Sequence, residues 1–72
     1  MWTVYRLPDD YPPTARFAVR RSSLFPEWTA FVPDPEVFVA PDLAGARGLI
    51  PAGMAMLSRH PEDDPSIVEV WL

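Results

Sequence analysis

The sequence predicts a small α+β domain, an antiparallel sheet of 4-5 strands with one kinked helix packed on one face, in the order β-β-β-β-α-β. Three observations predict it. Short β-branched, aromatic or alternating runs recur at about 2-7, 15-21, 27-32, 37-40 and 66-72. Apolar residues at helical spacing occupy one stretch, about 42-58. Ten prolines break the chain into pieces too short for long helices. At 72 residues the chain holds a single domain, 1-72.

The first strand carries Trp2 and Val4 on one face and Tyr5 and Leu7 on the other. Pro8-Asp9-Asp10-Tyr11-Pro12-Pro13 follows as a connecting loop. In the next strand Ala15, Phe17 and Val19 share one face, and Arg16, Ala18 and Arg20 the other, which makes it half-buried with a basic outer face. Ser22 to Pro26 reads as a turn, with Leu24 and Phe25 capping the core from one end. The third strand points Trp28, Ala30 and Val32 one way and Glu27, Thr29 and Phe31 the other. Pro33-Asp34-Pro35 ends it as a turn, because neither proline can donate to a ladder. Val37 and Val39 then face one side of a short strand in the sheet core, and Phe38 the other.

Asp42 is the expected N-cap, its carboxylate accepting from the first unpaired amides of the helix. Apolar positions 43, 46, 50, 54 and 57 form the buried stripe, with Met54 and Met56 as gap-filling core. Pro51 kinks the helix. Gly45, Gly48 and Gly53 each weaken it by about 1 kcal/mol relative to alanine, so packing must hold it. Gly53 lies near the buried stripe, where a close approach to the sheet is expected. His60 to Pro65 is a charged loop; Glu62, Asp63 and Asp64 read as solvated carboxylates and His60 as a surface residue. In the last strand Val68, Val70 and Leu72 form one face, and Ile67 and Trp71 flank Glu69 on the other. If the first face meets the helix, Trp71 is left outside, as a contact.

Composition narrows the functional classes. The net charge of -4 argues against direct nucleic-acid binding, which needs cations to neutralise phosphates, and suits a basic partner. The absence of cysteine excludes disulfides and thiolate metal sites. A domain of roughly 60 residues buries only about 60% of its unfolded surface, so self-association or a bound partner is the expected extra source of stability. No signal-like leader or membrane-spanning run is present, and the cytoplasm is the expected location. No catalytic constellation stands out, and no cofactor is expected.

The stretch Trp28-Thr29-Ala30-Phe31-Val32-Pro33-Asp34, followed by Val37-Phe38-Val39 and by Asp42-Leu43-Ala44-Gly45-Ala46, resembles the HicB-like antitoxin domain. The likeness runs from about Ala15 to Leu57. It departs from the family pattern at Pro26-Glu27, where a glycine is usual, at Pro35-Glu36, where a Pro-Gly turn is usual, and at Asp42, where the cap is usually threonine. The 72 residues contain no helix-turn-helix or ribbon-helix-helix segment for operator DNA. The resemblance implies a partial ribonuclease-H-like fold without the acidic metal site, and neutralisation of a small basic ribonuclease toxin. Ser23-Leu24-Phe25-Pro26 is also similar to the Ser-Leu-Trp-Pro of MbtH-like activators, whose remaining signature is absent.

Together these readings lead to a non-enzymatic protein-binding module: an antitoxin-like inhibitor of a small basic toxin, or an adaptor of a larger enzyme. Its interface is expected at Trp28, Asp34, Glu36, Phe38 and Trp71. The alternatives are a self-assembling structural or accessory protein, a homodimer being the simplest form, and a small metal-dependent enzyme.

Overall fold

A computed structural model describes residues 1–25, 30–58 and 64–72. Six strands and one helix follow in the order β1 (Trp2–Arg6), β2 (Phe17–Phe25), β3 (Ala30–Pro33), β4 (Phe38–Ala40), α1 (Leu43–Gly48), β5 (Met56–Ser58) and β6 (Ile67–Trp71). The pairing order is β3-β2-β1-β6-β5, with β4 also on β2, and every pairing is antiparallel. The α+β class is as expected; the helix and the connectivity around it are not.

Alternation decides which residues face the helix. Register places Val4 between Val19 and Glu69, and Trp2 between Arg21 and Trp71, so these side chains share one face. Val4, Val19 and Ala40 form the core there with Ala46 of α1, and Trp2, Phe17, Leu43, Ile50, Val68 and Trp71 pack around it. Complete burial of Val4 and Val19 stabilises by roughly 1.5–3 kcal/mol each. The pairing of β1 with β6 slips between Val4 and Tyr5, a bulge that brings Tyr5 opposite Ile67.

The helix is far shorter than the predicted 42-58. Asp42 caps it as expected: its Oδ1 accepts from the Gly45 amide at 2.6 Å. The last turn tightens, with the Leu49 amide donating to the Ala46 carbonyl and that of Ile50 to Arg47, both at 3.1 Å. Pro51 has no N–H with which to continue, so it ends the helical path rather than kinking it. Gly53, at φ +88, takes the left-handed turn that sends the chain back toward the sheet. Met56–Ser58, expected as the last helical turn, instead forms β5 on β6. The apolar stripe keeps its phase through Leu43, Ala46 and Ile50, while Leu57 lies exposed.

The Pro33-Asp34-Pro35 segment does not reverse the chain. β3 and β4 run end to end along the same edge of β2: Ser22 faces Pro33 and Val19 faces Phe38. Arg20 and Arg21 of β2 are therefore spanned by the four residues Asp34 to Val37. The two strands are one strand interrupted by a bulge, on the edge of the sheet and not in its core. Three bonds pin the bulge. The Asp34 amide donates to the Arg21 carbonyl at 2.9 Å, the Arg20 Nε donates to the Asp34 carbonyl at 2.7 Å, and the Ser23 hydroxyl donates to Asp34 Oδ1 at 3.2 Å. Leu24 and Phe25, expected in a turn, extend β2 so that it can carry both edge pieces.

Candidate functional site

On the face away from α1 the register builds two rows across the sheet. One reads Ile67, Tyr5, Ala18, Val39; the other reads Leu57, Val70, Thr3, Arg20. Among the described residues no helix lies over these rows. Ala18 is the small member of its row, flanked by Tyr5 and Val39. A hollow of about 420 Å³ opens there, lined by Tyr5, Leu7, Ala18, Arg20 and Val37 among others. The surface continues onto the β3–β4 edge, where Phe31, Val37, Phe38 and Val39 are 42 to 54% exposed. Val37 and Val39 belong to both the face and the edge.

An edge strand paired on one side turns alternate backbone N–H and C=O groups outward. Among the described residues β4 pairs with β2 alone, so this edge joins outward backbone groups to exposed large apolar side chains, a combination that invites another chain. Acidic residues flank it: Asp34 and Glu36 before β4, and Asp42 after it.

No family model, curated protein or solved structure matches the chain.

Three of the five expected interface residues, Asp34, Glu36 and Phe38, come together on this edge. Trp28 lies outside the described residues, as do His60, Glu62 and Asp63. Trp71 points to the helix side, half-buried against the core, because Glu69 and Trp71 rather than Val70 face α1. Tyr5, Ala18, Val37 and Val39 were not among the expected residues. Their signal was present in the small alanine between Arg16 and Arg20, and in Val37-Phe38-Val39, which is apolar on both faces of an edge.

Two polar clusters lie elsewhere. Glu69 is nearly inaccessible and is held by a two-pronged bond from Arg47, Nε to Oε1 at 2.8 Å and Nη2 to Oε2 at 2.9 Å. The Trp71 indole N–H adds a third bond at 3.2 Å. The Arg47 hydrogen bonds hold the Glu69 carboxyl below the usual carboxylate range, against the opposing effect of burial, with Trp71 assisting. The same bonds raise the Arg47 guanidinium above its ordinary value. This pair ties α1 to β6, and every acceptor in it is occupied by the fold. The second cluster lines a cavity of about 310 Å³ with Arg6, Asp9, Arg16 and Asp42. Its exposed Asp9–Arg16 pair, at 3.3 Å, is worth at most about 1 kcal/mol.

Among the described residues no three histidine, aspartate or glutamate side chains converge as metal ligands. Asp64 accepts from the Ser66 amide and hydroxyl at 2.9 and 2.8 Å. Among the described residues no helix is long and apolar enough to cross a membrane.

Proposed function

We propose that the protein is a non-enzymatic protein-binding module that holds a partner protein against its open sheet face and the adjoining β4 edge, as an inhibitor of the antitoxin type or as an adaptor. The observation that carries this reading is the continuity of the Ile67–Tyr5–Ala18–Val39 row with the exposed Val37–Val39 edge. The exposed part is the edge, where Val37, Phe38 and Val39 stand beside the half-buried Tyr5 and Ile67 and the buried Ala18; exposed apolar side chains clustered in this way are expected where a partner covers them. The resemblance of Trp28 to Asp34 to HicB-like antitoxins and the net charge of -4 both favour a basic partner. A photo-crosslinker at Val39, in protein expressed in its native host, is expected to capture one stoichiometric partner, and Phe38→Asp to abolish the capture. Equal capture from a crosslinker at Met56, or capture indifferent to Phe38→Asp, contradicts this reading.

Self-assembly through the opposite end of the sheet is the second reading, favoured by the exposure of Met56, Leu57 and Leu72 at 46 to 50%. Light scattering over a wide concentration range tests it; a constant monomer mass rejects it.

A further inference from the structure

The reading of the open face as a protein-binding surface leaves the binding mode and the partner's chemistry open, and the β4 edge restricts both. We propose that this edge receives an extended segment of the partner, apolar at alternate positions and flanked by lysine or arginine, as an added strand.

The length of the segment follows from the prolines. Pro35 and Pro41 lack the N–H that a ladder needs, so pairing is confined between them, to β4 (Phe38–Ala40) and the two bulge residues Glu36 and Val37 that lead into it. Alternation of the added strand follows from the sheet. Val39 points to the open face and Phe38 to the other by register, and Val37 lines the hollow with Tyr5 and Ala18, so every second side chain of the new strand lies beside the valines and extends the Tyr5–Ala18–Val39 row.

Charge selects between a second copy and a different chain. Antiparallel self-pairing centred on Phe38 sets residues summing to 76 opposite one another: Asp34 faces Asp42 of the copy, and Pro35 faces Pro41. Like charges meet at both ends, and neither proline offers a donor. A segment with cations at its ends meets Asp34 or Glu36 at one end and Asp42 at the other, and carries its own N–H groups. Centred on β4 in this way, the edge meets like charges and prolines in its own copy, whereas a basic strand meets neither.

The test uses the full chain labelled with ¹⁵N and three short synthetic peptides: alternating valine and threonine with lysine at both ends, the same with glutamate at both ends, and the lysine peptide N-methylated throughout. The lysine peptide is expected to shift the amide resonances of Glu36 to Ala40 and to bind about tenfold tighter at low salt than the glutamate peptide. N-methylation is expected to abolish the shifts, because it removes the peptide's donors. Glu36→Lys is expected to narrow the preference for lysine. Equal binding of the lysine and N-methylated peptides, shifts located away from residues 36–40, or no shifts with any peptide overturns strand addition. So does a concentration-dependent dimer crosslinked through Val39. Capture of a partner at Val39 together with any of these results retains the protein-binding reading and rejects only this mode.

Discussion

Replacing Glu69 by glutamine isolates what fastens the helix to the sheet. The glutamate side chain is only 6% exposed, and both oxygens accept from Arg47. Glutamine keeps the volume and one acceptor, loses the charge, and turns a donor group toward the guanidinium. A hydrogen bond to a charged group is worth about 1.5–3 kcal/mol, against about 1 for a neutral one. With one bond weakened and one lost, and with Arg47 half-exposed and able to find water, the expected destabilisation is about 1–2 kcal/mol. In a domain of this size that lowers Tm by roughly 4–16 °C. Arg47→Ala is expected to be worse than Glu69→Gln, because it leaves a buried carboxylate that, among the described residues, keeps the Trp71 indole alone as a side-chain partner, and Arg47→Ala with Glu69→Gln is expected to cost less than the sum. Because folding lowers the Glu69 carboxyl below its ordinary value, its contribution is complete above the ordinary carboxylate range of about 4.3 and fades as pH falls through the folded value. Urea unfolding of wild type and the variants between neutral and acid pH measures this. Equal stability of Glu69→Gln and wild type across that range, or a gap that widens toward acid, refutes the reasoning.

Other expectations follow from the same geometry. Asp42→Ala removes the cap bond to Gly45 and is expected to cost about 1 kcal/mol in urea unfolding, with asparagine largely restoring it. Gly53→Ala meets no steric neighbour but forces a side chain into positive φ, so a loss of about 1 kcal/mol is expected by thermal melting. Val39→Asp, at a position 54% exposed, is expected to change stability by less than about 0.5 kcal/mol yet to abolish partner capture by a photo-crosslinker moved to Val37. A large loss of stability there instead makes the edge a structural element and not a docking one.

Much of the sheet was legible because alternation is local. Phe17 and Val19 announce one buried face, whereas Trp2 with Val4 and Tyr5 with Leu7 are both apolar, so only the register shows that Trp2 and Val4 lie on the core side. Asp42 was equally readable, since a carboxylate before an apolar run has few other uses. What failed was the choice between periods. Positions 54 and 57 continue a helical stripe by coincidence, and the pairing of Met56–Ser58 with β6 overrides it. Neither Pro51 nor Gly53 states on its own whether a helix bends or stops. Pro33-Asp34-Pro35 failed similarly: its composition marks a departure from the ladder but does not distinguish a reversal from a bulge, which depends on where Arg20, Arg21 and Ser23 of another strand stand. Trp71 was misplaced because the bulge near Tyr5 lets Val68 reach the core while Glu69 and Trp71 face the helix. The open face was hidden for a related reason. Tyr5, Ala18 and Val39 become one surface only when three strands are set in register.

Amide hydrogen exchange on the complex captured at Val39 tests the central claim most directly. The account predicts new protection at Glu36 to Ala40 together with slower exchange in Tyr5 and Ala18, and no change in Met56–Ser58. Protection confined to β5 and the end of β6, with residues 36–40 exchanging as before, contradicts it.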